Sequence, residues 1–363
     1  MKSPKRILIA PLNWGLGHAT RCIPIIRELL RQGHEVRIAS DGRALELLRH
    51  EFPQLPTLEL PAYDVRYPRK RLLYFLILQM PKVLLAIVRE HRILQGWIDE
   101  HRIDAVISDN RLGCFSKKVP CAVISHQLSI YTHPTIVGKL ATFLHRLILR
   151  RYDSCWIPDL EGPDNLSGDL AHGMKLPNMK YIGLLTRIEP GELPERYDLL
   201  TILSGPEPLR SDWEHLILEQ VANLPYRVLI VQGKPEKQEH YFPYPHVEVC
   251  SFMDSKELNK AILESRVILS RSGYSTIMDL AVLNKKAILV PTPGQPEQEY
   301  LALYGYRKGW YYTQLQEDFD LEKGMEEVER GQGFNFKETG SGRLEQMLKE
   351  WVVGAGCRVL GGG

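Results

Sequence analysis

The 363-residue chain is long enough for two globular domains of ordinary size. Apolar residues make up 44% of it, charged residues make up 25%, and the net charge of +2 is too balanced to indicate a nucleic-acid partner. The six cysteines contain no C-x-x-C pair, which favours reduced thiols and argues against a zinc site. The apolar run Ile7–Ala10 is too short for a signal peptide. We therefore expect a cytoplasmic protein.

The first half of the chain has the pattern of a parallel α/β sheet. A strand over Ile7–Ala10 precedes the glycine-rich loop Pro11–His18, a helix over Ala19–Arg31 and a second strand over Glu35–Ser40. This order predicts right-handed crossovers between parallel strands. Further strands are predicted at 105–108, 121–125, 155–158 and 181–183. We expect residues 1–188 to form the N-terminal domain.

Polar side chains follow several of these strands: Asn13, His18, Asp109, His126 and Gln127. Ligands of open α/β sheets bind beyond the carboxyl ends of the strands, so these residues could converge on one mouth. A capping or turn role is the alternative for each of them taken singly.

Two apolar segments with basic flanks lie in the first half, at 66–92 and 139–151. The first is interrupted by Gln79, Pro81 and Lys82, which leaves no clean stretch of about 20 residues that could span a bilayer. One interpretation is a peripheral contact with an anionic membrane surface. The other is a pair of core helices whose arginine side chains extend to the solvent.

A break at 189–194 separates a second α/β set, and we expect residues 189–340 to form the C-terminal domain. A helix follows at 341–353, and the glycine-containing tail 354–363 is predicted to be disordered. The predicted strands of the second set are 199–203, 227–231, 247–249, 266–270 and 287–290, and its predicted helices are 213–223 and 257–263.

The stretch Ser270–Asp279 predicts an anion site. A buried strand runs into a turn at Gly273, and a helix opens at Ser275 and Thr276. The free N–H groups and partial positive charge of a helix N-terminus attract anions. Asp279 lies one helical turn beyond Ser275 and could hold a diol. Together these groups would fit a ribonucleotide diphosphate, whereas an ordinary helix cap is the alternative.

Other loops of the second half could complete a nucleotide-sugar site. Ser204 and Gly205 offer a hydroxyl and N–H groups, while Phe252 and Met253 offer an apolar wall for a base. Arg271 could pair with a phosphate or fix a loop carboxylate. Amide and carboxylate partners for sugar hydroxyls are available at Gln295, Glu297 and Gln298.

The motifs Ser270–Asp279, Ala287–Pro291 and Gln298–Ala302, with Phe252-Met253-Asp254 before them, resemble the C-terminal domain of glycosyltransferase family 28. The loop Asn13–His18 is similar to the glycine-rich loop of the same family. The resemblance implies a GT-B fold, in which two Rossmann-like domains face each other across a cleft. It also implies that the last helix returns to the first domain and that no metal or other cofactor is needed.

The resemblance also implies roles for individual residues. Asp279 would grip the donor ribose, Met253 would contact the base, and Glu297 with Gln298 would contact the sugar. The pyrophosphate turn would comprise Ser272, Gly273, Tyr274, Ser275 and Thr276. His18 would lie near the reacting centre, and we favour it over Asp109 as the base. Asn13, Gly15, Gly17, His126 and Gln127 are assigned to the acceptor side.

The resulting hypothesis is a glycosyltransferase that moves a hexose or N-acetylhexosamine from a nucleotide sugar, with UDP favoured, to a lipid-linked or other cell-envelope acceptor. Such an enzyme would act in the cytoplasm or on the inner face of the cell membrane. Two alternatives stay open: a nucleotide-sugar 2-epimerase, and a non-catalytic nucleotide-sugar-binding protein. The loop Ser204–Pro208 supports the last alternative, because it offers fewer free N–H donors than the family's glycine-rich turn.

Overall fold

The computed structural model describes residues 4–65, 72–131, 135–334, 336, 340 and 342–359. Within these residues the chain forms two seven-stranded sheets. The first sheet ends at Tyr181 and the second begins at Tyr197, so a short connection joins the two α/β units. Two α/β units were expected, and this prediction is confirmed.

The first sheet is entirely parallel, with strand order β3-β2-β1-β4-β5-β6-β7. Its strands are β1 (Arg6–Pro11), β2 (Glu35–Ser40), β3 (Thr57–Glu59), β4 (Ala105–Asp109), β5 (Cys121–Ile124), β6 (Ser154–Ile157) and β7 (Met179–Tyr181). Its helices are α1 (Leu16–Arg31), α2 (Gly42–Glu51), α3 (Leu72–Glu100), α4 (Thr135–Leu149) and α5 (Asp169–His172).

The second sheet has the order β10-β11-β9-β8-β12-β13-β14 and is parallel except for β10, which is antiparallel to β11. Its strands are β8 (Tyr197–Ile202), β9 (Val228–Val231), β10 (His240–Tyr244), β11 (Val247–Cys250), β12 (Ser265–Ser270), β13 (Lys286–Leu289) and β14 (Tyr312–Thr313). The remaining helices are α6 (Leu209–Val221), α7 (Ser255–Leu263), α8 (Tyr274–Leu283), α9 (Pro296–Arg307), α10 (Leu321–Glu327) and α11 (Arg343–Val359).

Both faces of the first sheet are covered, because alternate residues of β1 enter different cores. Ile7 and Ile9 pack in the core that contains α1, whereas Leu8 and Ala10 pack in the core that contains the end of α3. The α1 core continues across the cleft to Ile277 of α8. The two units are therefore joined by apolar packing as well as by the chain.

The last helix packs on the first unit, where the rings of Trp351 and Trp156 meet edge to face at 5.1 Å. It runs to Val359, so residues 354–359 are helical although the sequence predicted a disordered tail from 354. Glycines at 354 and 356 weaken helix propensity but do not end a helix that packing holds upstream. Residues 360–363 lie outside the described residues.

The apolar segment predicted at 66–92 forms most of α3, a continuous helix that contains Pro81, and its residues 66–71 lie outside the described residues. The segment predicted at 139–151 falls largely within α4. None of the helices in the described ranges combines the length and hydrophobicity needed to cross a bilayer.

We predict that Gly113→Ala destabilises the fold, because α3 packs directly on the loop after β4. A Cβ atom at Gly113 would meet the carbonyl oxygen of Ile87 and lie 3.0 Å from Oε1 of Glu90. We expect the free energy of unfolding, measured by urea titration, to fall by roughly 1–3 kcal/mol.

The matched control is Gly96→Ala on the same helix, where no described atom lies within 4 Å of the added carbon. This change should leave stability unchanged or raise it by up to about 1 kcal/mol. Equal stability of the two variants would contradict the predicted close packing of α3.

Candidate active site

A cavity lies between the two units, where the glycine-rich loop before α1 faces the N-terminus of α8. Six of the donor-side residues predicted from the sequence line it: Ser204, Phe252, Met253, Ser275, Thr276 and Asp279. Gly17 lines it from the other side. The strand order explains the assembly, because β11, β9, β8 and β12 are successive neighbours and their carboxyl ends meet at one edge.

The N-terminus of α8 is open toward this cavity. Its N-cap is Gly273, so no side chain caps the helix. Ser275 instead crosses to the other unit and donates its hydroxyl to the carbonyl oxygen of Gly17 at 2.9 Å. A Cβ atom at Gly17 would lie 2.9 Å from that hydroxyl oxygen, so the close approach requires glycine there. The free N–H groups of the first turn make this helix end suitable for an anion.

Asp279 lies one turn further along α8 and is held by a single hydroxyl. Its Oδ1 accepts a hydrogen bond from Oγ1 of Thr186 at 2.5 Å. Burial raises the pKa of Asp279 to about 6, although the nearby Arg187 and the Thr186 hydrogen bond oppose the rise. The carboxylate is therefore ionised at neutral pH and loses its charge in mildly acidic solution.

Arg187 also lines the cavity, and the sequence analysis did not single it out. Its side chain is only 9% exposed, and its Nη1 lies 3.8 Å from Oε1 of Glu51. Neither Nε nor Nη1 has a hydrogen-bond acceptor among the described residues. Burial accordingly lowers the pKa of Arg187. The unpaired N–H groups of Arg187 at the cavity wall could donate to a polar atom of a ligand. No sequence signal marks it, because it is a lone arginine in the connection between the sheets.

On the first unit, His18 and Asp109 form a hydrogen-bonded pair, with 2.8 Å between Nδ1 of His18 and Oδ1 of Asp109. Arg21, on the same face of α1 as His18, binds both oxygens of Asp109 at 2.6 and 2.7 Å. Burial alone would raise the pKa of Asp109, but Arg21 and His18 outweigh it and lower this pKa to about 2. Burial is the main reason why the pKa of His18 is lowered. His18 is therefore neutral at pH 7 beside a fixed carboxylate.

His126 connects this group to the second unit. Its Nδ1 accepts from Nη1 of Arg21 at 3.0 Å, and its Nε2 lies 2.6 Å from Oε1 of Glu297 on α9. The imidazole stacks on the ring of Tyr274 with centroids 4.4 Å apart and planes at 3°. The Tyr274 hydroxyl donates to the carbonyl oxygen of Pro158 at 2.9 Å. Both Tyr274 and Glu297, predicted as donor contacts, thus meet the first unit.

Several other predicted site residues hold loops and do not line the cavity. Arg271 is 1% exposed and donates to the carbonyl oxygens of Val290 and Pro291 and to Gln316, because its side chain turns into the core over Trp213. Ser272 donates to the carbonyl oxygen of Gln298 at 2.8 Å. The side chain of Gln298 bridges the N–H of Thr292 and the side chain of Gln295. Gly205, at φ 106°, forms a turn beside Ser204.

The remaining acceptor-side residues are also tied locally. Asn13 donates to Asp41 at 3.0 Å and accepts from the N–H of Ala44, so it fixes the glycine-rich loop on α2. Gly15 takes φ 101° as the N-cap of α1, a conformation that favours glycine. The backbone of Gln127 contacts the Ser125 hydroxyl. Among the described residues, no three His, Cys, Asp or Glu side chains are grouped as metal ligands.

Residues 213–340 match the model of the glycosyltransferase family 28 C-terminal domain. A protein of Methanosarcina acetivorans, described as an uncharacterized glycosyltransferase, is 22% identical over 84% of this chain and 84% of its own length. The UDP-N-acetylglucosamine–N-acetylmuramyl-(pentapeptide) pyrophosphoryl-undecaprenol N-acetylglucosamine transferase of Methylobacterium radiotolerans is 32% identical over 28% of this chain and 30% of its own.

The fold is also similar to that of solved glycosyltransferases. The crystal structure of the kitacinnamycin glycotransferase superposes with a TM-score of 0.60 at 14% identity, over 98% of this chain and 96% of that one. At this identity the likeness concerns the fold alone. Residues 213–340 are thus similar to the C-terminal domain of glycosyltransferase family 28, and the chain as a whole has the GT-B fold.

Proposed function

We propose that this protein transfers a hexose or N-acetylhexosamine from a UDP-sugar to a lipid-linked or other cell-envelope acceptor, without a metal ion. One observation carries the proposal: the N-terminus of α8 and Asp279 line the same cavity as Gly17, the residue directly before His18, and His18 is hydrogen-bonded to Asp109. The name of the Methylobacterium radiotolerans relative supports the choice of UDP and of a lipid-linked acceptor.

The donor would lie along the wall of the second unit. Phe252 and Met253 would pack on the base, and Asp279 would accept hydrogen bonds from the ribose hydroxyls. The N–H groups at the start of α8 would bind the diphosphate, and this helix end would stabilise the charge that develops on it as it leaves. Such stabilisation supports a metal-independent reaction. The sugar would then point toward Glu297 at the start of α9.

His18 would act as the general base. With its proton on Nδ1 directed at Asp109, its Nε2 can accept the proton of the acceptor hydroxyl. The acceptor oxygen then bonds to the anomeric carbon, while the bond from that carbon to the diphosphate oxygen breaks. His18 afterwards releases the proton to solvent, and UDP leaves with the electron pair of the broken bond. Asp109 keeps the imidazole oriented and stabilises its positive charge.

The acceptor side would rest on a membrane through α3 and α4. Five apolar residues of α4 are exposed at helical spacing, and five more are exposed on α3; they are Ile136, Leu140, Phe143, Leu144 and Leu147 with Leu78, Met80, Leu84, Leu85 and Val88. Exposed basic residues on or next to the same helices include Arg89, Arg92, Lys139 and Arg150. Apolar and basic side chains together suit an anionic lipid surface.

The first experiment measures transfer from a panel of UDP-, GDP- and dTDP-sugars to a lipid extract of the cell envelope. We expect activity with a UDP-sugar that is unchanged by EDTA. His18→Ala should lower kcat by roughly 10²–10⁴ while UDP still binds, because only the proton transfer is lost.

The control variant is His215→Ala, at an exposed histidine of α6, which should keep full activity. Full activity in His18→Ala would contradict the role of the base. Epimerised nucleotide sugar formed without any acceptor would replace the proposal with the 2-epimerase, and tight UDP binding without turnover would replace it with the non-catalytic binding protein.

A second prediction concerns pH. Because the pKa of Asp279 is about 6, the charged carboxylate, which accepts ribose hydrogen bonds more strongly, predominates above that pH and the neutral acid below it. The affinity for UDP-N-acetylglucosamine, whose diphosphate does not titrate in this range, should therefore fall from pH 7.5 to pH 5 by at most about tenfold per pH unit.

Isothermal titration calorimetry at several pH values checks this expectation. Asp279→Asn should bind more weakly at pH 7.5, and its affinity should vary less with pH than that of the wild type. An identical pH dependence in the two proteins would exclude Asp279 as the titrating group.

A third prediction tests the membrane contact by flotation with vesicles of phosphatidylglycerol. We expect binding at low salt that weakens as salt rises, because exposed charges are screened. Phe143→Glu should reduce it. Phe242→Glu is the matched control, since Phe242 of the second unit is 60% exposed and Phe143 is 57% exposed. No flotation of the wild type at low salt would rule out the contact.

A further inference from the structure

Arg21 lies between two histidines and binds both at the same kind of atom. Beyond its two bonds to Asp109, its Nη1 lies 3.0 Å from Nδ1 of His126 and its Nη2 lies 2.6 Å from Nδ1 of His18. The side chain is 2% exposed, so the protein, with little help from water, must satisfy these donors. A guanidinium only donates hydrogen bonds, and this fact determines where the histidine protons lie.

The protonation of His126 follows directly. Since Nη1 of Arg21 donates to its Nδ1, that nitrogen carries no proton. Its Nε2 lies 2.6 Å from Oε1 of Glu297 and must donate there. His126 is therefore neutral with its proton on Nε2, and it spans the cleft.

Two neighbouring groups place opposite requirements on the protonation of Nδ1 of His18. Asp109, 2.8 Å from Nδ1 of His18, can accept a hydrogen bond only if that nitrogen carries a proton. Arg21, 2.6 Å from the same nitrogen, can donate to it only if it carries none. Both cannot hold at once. If Arg21 prevails, the single proton of the neutral ring is on Nε2 and the ring cannot act as a base. If Asp109 prevails, Nε2 is free to accept a proton.

We propose that Arg21 is a positioning residue that couples the closure of the cleft to the state of His18. In the closed form Glu297 anchors the ring of His126, and His126 holds Nη1 of the guanidinium that two bonds to Asp109 orient, while Nη2 donates to Nδ1 of His18. His18 then carries its proton on Nε2. When Glu297 no longer accepts a hydrogen bond from His126, the guanidinium of Arg21 retains only its bonds to Asp109. The proton of His18 then moves to Nδ1 by exchange with solvent.

The consequence is a base that is switched on by the donor. This step rests on the proposed function, in which sugar hydroxyls occupy Glu297. Those hydroxyls would replace His126 as its partners, and His18 would become a base only when a donor is bound. The stacking of His126 on Tyr274, which belongs to the turn beside the diphosphate site, gives the same ring a second contact with the donor side.

The test reads the tautomers directly and needs no substrate. Two-bond ¹H–¹⁵N correlation spectra of protein labelled at histidine separate rings protonated at Nδ1 from rings protonated at Nε2. In the wild type we expect both His18 and His126 to be protonated at Nε2. In Glu297→Ala we expect the ratio of Nδ1-protonated to Nε2-protonated His18 to rise about tenfold or more, because a charge-assisted hydrogen bond is lost.

Two further variants on α9 control for indirect effects. Glu297→Gln retains an oxygen that accepts from Nε2 of His126 and should keep the wild-type ratio at His18. Glu299→Ala removes a neighbouring carboxylate that accepts only from the N–H of Gly294 within the described residues, and it should also keep that ratio.

An unchanged His18 ratio in Glu297→Ala would overturn the proposal, as would wild-type His18 already protonated at Nδ1. The same rise in Glu299→Ala or in Glu297→Gln would also overturn it. Arg21→Lys keeps the positive charge but loses the planar guanidinium, and it should change the tautomer ratios of His18 and His126 together. Unchanged ratios at both histidines would likewise overturn the proposed coupling. If that variant does not fold, Glu297→Ala decides alone. These spectra remain informative even if no transfer activity is found.

Discussion

The buried ion pair between Arg21 and Asp109 is the interaction on which the rest of the site depends. It forms because β1, β4 and β5 are neighbours, so that the segments following them bring α1, Asp109 and His126 together. Two bonds at 2.6 and 2.7 Å fix the guanidinium, and every further contact of the group is made from that fixed fork. Removing one partner would leave a buried charge unpaired, which costs about 3–5 kcal/mol. The pair must therefore be preserved for the histidines to be placed at all.

The two sides of the cleft contribute different chemistry. The second unit offers a helix end and the partly buried carboxylate of Asp279, which would suit a nucleotide. The first unit offers the neutral imidazole of His18 beside the ionised Asp109. Such an imidazole can accept or donate a proton. The polar contacts that join the sides include those of Ser275 with Gly17, Tyr274 with Pro158 and His126 with Glu297. The reacting atoms would have to meet where these contacts now lie.

The sequence predicts the two α/β units and most of the central strands, because buried parallel strands are short apolar runs between turns. It misses the three-residue β3, the two-residue β14 and β10, whose exposed residues lack that pattern. Ser204, Phe252 and Met253 of the cavity wall are predicted from their positions after strands, and Asp279 from its spacing of one helical turn beyond Ser275. Arg21 could have been identified from the sequence, because it lies three residues after His18 on the same face of a predicted helix. No sequence pattern marks Arg187. The side chain of Arg271 points into the core because it packs over Trp213, and no local sequence pattern predicts this orientation.

The hydroxyl of Ser275 rests on the backbone of Gly17 at the place where a diphosphate would bind. A donor diphosphate could take that place only by parting the contact between Ser275 and Gly17. Only the fraction of molecules with the contact broken is competent to bind, so the apparent dissociation constant equals the intrinsic one divided by that fraction. Weak binding of free nucleotide would then reflect a small competent population and not a poor fit, and any change that loosens the contact would tighten binding without touching the ligand.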